Sequence, residues 1–447
     1  MRFASTRGAA QPVGAGAAML AGLAPDGGLY VPERFPALDP AALPQDGDLA
    51  ATATEVLAPF VAGDAPVDEL ADESADELDS ELGRELPAIC AEALDFPTPL
   101  TETNGFHVLE LFHGPTAAFK DVGARFLAAC LARLSGERER TVLVATSGDT
   151  GGAVAAAFSG RRGFRVVLLY PGGRVSDRQE AQLTAWGDNV LSLRVDGDFD
   201  DCQRMVKEAF ADATLRERAG LTSANSISIG RLLPQMAYYA WASMRLFRAT
   251  GTAPGFIIPS GNLGNSLACI WARHCGLPVG PIVLATNANE TVGEFFAGAP
   301  WTPRPTVQTL ATAMDVGNPS NMERLLYLAG SESAARSEAR AIRVSDQEIR
   351  DAIAAGPARY DRTWCPHTAT AVRAWETLGE EAGERPWVVV ATAHPAKFED
   401  VVEPLVGETV PLPPALAELM ARPRQFVEIG PDFEAFRDLL AGLPGVA

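Results

Sequence analysis

The 447-residue sequence predicts an α/β architecture with mainly parallel sheets, preceded by a mostly helical segment. Three observations carry that prediction. From Phe96 onward, short β-branched runs alternate with helical patterns, the order of elements that builds parallel sheets. The run that starts at Trp387 (Trp-Val-Val-Val-Ala) has the unbroken apolar character of a strand buried on both faces. Glycine-rich or polar loops follow several runs directly, at the strand ends where α/β folds gather their active sites.

Up to about Leu94 the chain is rich in Ala and acidic residues and punctuated by Pro and Gly, which reads as a separate segment. Within it Asp68, Asp72, Asp76 and Asp79 alternate with Leu70, Leu78, Leu82 and Leu86, giving one apolar helical stripe beneath a charged, solvated face. The strand runs then follow at 107–111, 141–146, 165–170, 190–195, 256–259, 282–286 and 387–393. Helical patterns lie between them, through Val122, Phe126, Leu127 and Cys130, from Ala153 to Phe158, and from Leu267 to Trp271.

Composition removes several function classes. A net charge of −20 argues against a phosphate-backbone binder, so no nucleic-acid partner is expected. No apolar segment is long enough to span a bilayer, and the start, Met1 to Gly8, lacks a long apolar core, so the expected location is cytoplasmic without a membrane partner. The six cysteines are scattered with no Cys-x-x-Cys pair, as reduced, mostly buried thiols are; neither a disulfide framework nor a metal site is expected.

The chain holds only three lysines, Lys120, Lys207 and Lys397, which shortens any search for a Schiff base. Lys207 falls opposite the apolar face formed by Cys202, Met205, Val206, Ala209 and Phe210. Lys397 follows the strand run 387–393 and the loop His394-Pro395-Ala396. Lys120 stands at a loop-to-helix junction beside Phe119, where helix amides and the aromatic ring can lower its pKa and aim it into a cleft.

Five loops carry candidate chemistry. Thr146-Ser147-Gly148-Asp149-Thr150 joins a strand to a helix, and its hydroxyls and amides suit a carboxylate or phosphate; a plain capped helix explains it equally well. Gly261-Asn262-Leu263-Gly264-Asn265 also sits between strand and helix. It is neither a Walker loop nor a Rossmann fingerprint, and a compact phosphate cup fits it best. Asn225, Ser226 and Arg231 offer a second anion site, with a surface arginine as the plainer alternative. The turn-rich stretch 315–321 is compatible with ordinary loop structure. At the fifth, Thr392 can hydrogen-bond a heteroaromatic nitrogen, whereas His367 and His394 read as satisfied histidines rather than general bases.

Taken together, a poised lysine, a phosphate cup, a carboxylate-type loop and a strand-end hydroxyl meet the requirements for holding pyridoxal 5′-phosphate and an amino acid. The ordered set strongly resembles the threonine synthase family, nearly end to end. It comprises Ser5-Thr6-Arg7-Gly8, Asp26-Gly27-Gly28-Leu29-Tyr30, His113-Gly114-Pro115-Thr116 with Phe119-Lys120-Asp121, and Thr146 to Gly151. Phe199 to Gln203, Gly261 to Asn265, Gly317 to Asn321 and Ala393 to Phe398 complete it. The resemblance implies a fold-type II, tryptophan-synthase-β-like enzyme. Residues 1–95 would be the N-terminal domain, and 96–447 a catalytic region of two open α/β subdomains with the active site between them.

It further implies the conversion of O-phospho-L-homoserine and water into L-threonine and phosphate, the last step of threonine biosynthesis. Lys120 would match the Schiff-base lysine, with Phe119 beside the cofactor. Gly261, Asn262, Leu263, Gly264 and Asn265 would hold the cofactor phosphate, Thr392 the pyridine nitrogen, and Asp149 would lie near the phenolic oxygen. Thr146, Ser147 and Thr150 would face the substrate carboxylate; Asn225, Ser226 and Arg231 the substrate phosphate. A monomer is expected, a dimer being the alternative. Two departures stand out: Cys365 where the family usually has Asp, and Ser228 where it usually has Asn. A phospholyase releasing 2-oxobutyrate, or a silent pyridoxal-phosphate-binding relative, are the rival readings.

Overall fold

The computed structural model describes residues 1–45, 48–62, 73–136, 138–146 and 148–443. The chain opens with a three-stranded antiparallel sheet, β1 (Arg2–Ser5), β2 (Val13–Gly14) and β3 (Tyr30–Pro32), in the order β2-β1-β3. Helices Ala15–Ala21, Leu49–Val61 and Glu73–Ala93 account for the rest of the regular structure among its described residues. The mostly helical expectation therefore holds with a correction. The small sheet was not legible because Arg-Phe-Ala-Ser and Val-Gly lack the β-branched alternation of a strand.

Asp79 is a second correction, since it is buried rather than solvated, and its carboxylate accepts a hydrogen bond from the Gly16 amide at 2.8 Å. A helix periodicity cannot foresee that an acid will dock on another helix's free N-terminal amides. Asp68, Leu70 and Asp72 lie outside the described residues.

Strands β4 (Leu100–Thr103) and β5 (Phe106–Glu110) begin one large sheet. The chain then builds a second from β6 (Arg140–Ala145), β7 (Phe164–Pro171), β8 (Val190–Val195) and β9 (Leu221–Thr222). It returns to the first with β10 (Gly255–Pro259), β11 (Ile282–Thr286), β12 (Arg340–Arg343) and β13 (Trp387–Ala391). Finally β14 (Val427–Ile429) adds an edge to the second. The orders are β12-β11-β10-β13-β5-β4, parallel except for β4, and β14-β8-β7-β6-β9, parallel throughout.

All seven expected strands form, within a residue or two of their limits. Their sequences explain it: Phe256 to Ile258 and Val388 to Val390 are inaccessible to solvent on both faces. Because the strands are parallel, the loops after β6, β10 and β13 leave from carboxyl ends. The core does not stop near residue 95. Phe60, Leu86 and Ile89 share one continuous apolar cluster with Phe126, Leu127 and Tyr239. No helix among the described residues is long and apolar enough to cross a membrane.

Candidate active site

Lys120 is the first residue of the helix Lys120–Leu134. The loop before it is tied to the end of β13: Leu111 and Phe119 donate backbone N–H bonds to the carbonyls of Ala391 (2.9 Å) and Thr392 (2.8 Å), and His394 returns one to Ala117 at 3.0 Å. Asp121 sets the loop's shape from inside, accepting from the Thr116 amide (2.9 Å) and hydroxyl (2.6 Å). Lys120 Nζ sits 5.6 Å from the centre of the Phe119 ring. Its side chain keeps partial solvent contact, yet protein surrounds it closely enough that burial pushes the ammonium down to about 8. Asp149 opposes that shift, while the charges of Arg231 and Lys397 add to it. Burial is the largest of these causes.

Asp149 begins the helix Asp149–Phe158, directly after Gly148 at φ +133°, a conformation for which glycine is suited. Its Oδ1 lies 2.8 Å from Lys397 Nζ and accepts from Gln179 Nε2 at 3.2 Å. Burial alone would raise this carboxyl; Lys397, Lys120 and His367 instead hold it well below the usual carboxylate range. Lys397 also donates to the Thr116 carbonyl at 2.8 Å. Lys207 is exposed. Lys120 is thereby the one lysine that is neither exposed nor ion-paired among the described residues.

The Thr146 hydroxyl accepts from the amides of Gly148 (3.0 Å) and Gly151 (2.8 Å), so it shapes its loop. Ser147 lies outside the described residues. Thr150 is half-buried at the start of the same helix.

After β10, Leu263 takes a left-handed backbone at φ +61°, and Gly264 opens the helix Gly264–His274. A Cβ on Gly261 would lie 2.6 Å from Met314 Cα, so the close approach this glycine permits is to the backbone of Met314. Asn262 bridges to the neighbouring loop, donating to the Ser226 hydroxyl at 2.6 Å. Asn265 is fixed from one side only: its Oδ1 accepts from both Tyr238 and Tyr239, the latter at 2.7 Å.

Three buried polar atoms in these two touching loops have no hydrogen-bond partner among the described residues: Asn265 Nδ2, Ser228 Oγ and Arg231 Nε. Unpaired buried donors of this kind are costly, and an anionic oxygen is one acceptor that would satisfy them. Arg231 donates to the Ala224 carbonyl and remains charged, although burial lowers it to about 10 against the opposing charge of Asp121. Asn225 is half-buried. Thr392 is buried, and its hydroxyl makes no hydrogen bond to the described residues. Unpaired donors on two adjoining loops, an amine of lowered basicity beside an aromatic ring and a hydroxyl without a partner among the described residues fit pyridoxal phosphate together with a phosphorylated amino acid.

Sequence reasoning missed Lys397, Gln179 and the clamp made by His367. Neutral His367 accepts the Ala313 amide on Nε2 at 3.0 Å, and burial pushes its pKa down to about 4. The scarcity of lysine already pointed to Lys397; nothing in the local pattern marked the other two. His394 is satisfied as expected, accepting from the Ala396 amide at 3.2 Å. Of the two departures, Cys365 caps the helix Pro366–Leu378, its sulfur accepting from the Thr368 amide at 3.4 Å. Ser228 makes no side-chain cap bond to the short helix that follows it.

Known proteins resemble this chain over its whole length. A family model described as "Pyridoxal-phosphate dependent enzyme" matches residues 92–393. Models for the threonine synthase N terminus and the threonine synthase C-terminal region match residues 2–75 and 368–440. Threonine synthase of Serratia marcescens is 42% identical over 368 residues, covering 81% of this chain and 85% of that protein. The Haemophilus influenzae protein is 37% identical over 423 residues, 94% of each chain. Threonine synthase from Escherichia coli superposes with a TM-score of 0.86 at 34% identity, covering 98% of this chain and 99% of that one. The pyridoxal-phosphate-bound threonine synthase of Brucella melitensis does so with a TM-score of 0.86 at 34% identity, covering 98% of each.

Proposed function

The chain belongs to the threonine synthase family of pyridoxal-phosphate-dependent enzymes, and from that premise we propose that it converts O-phospho-L-homoserine and water into L-threonine and phosphate with Lys120 holding the cofactor. Bound, pyridoxal phosphate supplies the electron sink that makes a proton on the substrate's α carbon removable. The chain's own residues do the rest. Gly261 to Asn265 would hold the cofactor phosphate, Phe119 would flank the ring, and Thr392 would meet the pyridine nitrogen. Asp149, kept anionic by Lys397, would face the phenolic oxygen.

Lys120 would take the proton from Cα and move one at Cβ, work suited to an amine whose basicity is lowered to about 8. Asn225, Ser226 and Arg231 would receive the leaving phosphate, where a buried guanidinium stabilises developing charge. Thr146, Ser147 and Thr150 would orient the substrate carboxylate. Water would then add its hydroxyl at Cβ, and the proton taken from Cβ would be returned at Cγ, where the bond to phosphate has broken. We place residues 1–95 in the N-terminal domain and 96–447 in the catalytic region, and the enzyme in the cytoplasm as a monomer.

The observation that carries this reading is the contrast between two inward-facing lysines: Lys397 is spent on Asp149, and Lys120 is not. The test is to incubate purified protein with pyridoxal phosphate and O-phospho-L-homoserine and quantify phosphate, threonine and 2-oxobutyrate together. Threonine equal to phosphate establishes the synthase. Phosphate with mostly 2-oxobutyrate makes it a phospholyase, and neither product makes it a binding relative.

A further inference from the structure

Arg324 is among the largest side chains that solvent does not reach, and no carboxylate pairs with its guanidinium among the described residues. The position disfavours a cation twice. An uncompensated buried charge is expensive. Arg324 also lies in the first turn of the helix Met322–Ala329, at the end whose amides repel positive charge. A methionine would fill the space without either penalty.

What the guanidinium does instead is join three separate parts of the chain. Nε donates to the Tyr30 carbonyl of β3 at 2.9 Å, one terminal nitrogen to Asn321 Oδ1 at 2.7 Å, and the other to the Ile227 carbonyl at 2.6 Å. Asn321, itself fully buried, passes the restraint on: its Nδ2 donates to the Asn262 carbonyl at 3.0 Å and the Ser226 carbonyl at 3.4 Å. The neighbouring Glu323 accepts from the Thr6 hydroxyl at 2.5 Å, a second tie to the N-terminal sheet. One planar fork therefore touches the N-terminal sheet, the loop of Ser226 and Arg231, and through Asn321 the loop of Gly261 to Asn265.

We propose that Arg324 is a positioning residue that sets the separation of the two phosphate-binding loops, with the N-terminal sheet as its anchor. This deepens the functional reading above and rests on it. A substrate whose phosphate and reacting carbon are a fixed distance apart needs its anion site at a fixed distance from the cofactor. Arg324 fits that task because its three acceptors are spread as a rigid guanidinium can reach them, and a lysine cannot contact all three at once.

The experiment compares Arg324→Met, Arg324→Lys and Asn321→Ala with the wild-type holoenzyme. It measures pyridoxal phosphate affinity by absorbance titration of the stripped protein, KM and kcat for O-phospho-L-homoserine, and the circular dichroism spectrum. The expected result is an unchanged spectrum, with cofactor affinity and KM each worsened about tenfold or more in Arg324→Met and not restored in Arg324→Lys. Asn321→Ala, which cuts only the relay, shifts both in the same direction by less. A purely structural role lowers the melting temperature and leaves both constants at wild-type values; that result overturns the proposal. If Arg324→Met does not fold, wild-type constants in folded Asn321→Ala overturn it equally. Should the wild-type protein make no threonine, the functional reading fails, while the cofactor titration still decides the role of Arg324.

Discussion

Lys397 Nζ and Asp149 Oδ1 are 2.8 Å apart, and solvent reaches 0% of the lysine side chain and 4% of the aspartate. Such a pair is costly to break from either side, because the survivor is left charged and buried; about 3–5 kcal/mol is the usual loss. Lys397→Met should therefore lower thermal stability markedly while keeping the cofactor absorption band, since Lys120 remains. Lys120→Ala should do the reverse, losing both band and turnover with little change in melting temperature. A band that survives in Lys120→Ala and vanishes in Lys397→Met would exchange the two roles.

The lowered basicity of Lys120 has a kinetic signature. Only the neutral amine attacks an aldehyde, and with a pKa of about 8 the neutral fraction rises through that pH and levels above it. The rate of pyridoxal phosphate capture by stripped protein should follow the same curve, with its midpoint near 8. An ordinary lysine would place the midpoint beyond pH 10. Stopped-flow absorbance between pH 6 and 10 distinguishes the two.

How much of this was legible in the sequence depends on what each residue answers to. The central strands could be read because burial on both faces forces a continuous apolar run, Lys120 and Asp149 because each lies in a loop that follows such a run, and Arg231 because it is the single arginine of a polar loop. Strands β9 and β14 could not, being two and three residues long at sheet edges, where pairing rather than composition defines them. Lys397, Gln179 and His367 owe their roles to partners far away in the chain, as Arg324 does to Tyr30. Contacts of that separation are set by topology, on which local periodicity is silent.

His367 supplies a pH test of the fold. Burial holds it neutral down to about 4, with Lys120 and Lys397 reinforcing and Asp149 opposing, against an ordinary value of 6.5. Between those limits the unfolded chain binds a proton that the folded one refuses, so stability falls as pH drops from 6.5 toward 4 and is complete above 6.5. The contribution is at most about 3 kcal/mol. His367→Gln keeps an acceptor for the Ala313 amide without the titration, so its melting temperature should decline less steeply over that window. Parallel slopes for the two proteins would show that His367 does not titrate there.

Ala313 leads to Met314, and the backbone of Met314 backs the loop at Gly261, proposed above to hold the cofactor phosphate. A Cβ at Gly261 would sit 2.6 Å from Met314 Cα and 3.1 Å from its carbonyl carbon, neither of which is a flexible side-chain end. Gly261→Ala must therefore displace one backbone or the other. The 311–314 turn is clamped by His367, so the Gly261 loop is the part that gives. Cofactor affinity should fall about tenfold, or ~1.4 kcal/mol, while the circular dichroism spectrum stays unchanged. Absorbance titration of stripped Gly261→Ala against the wild-type protein reads this directly, and equal affinities would mean that the turn, not the loop, yields to the added methyl group.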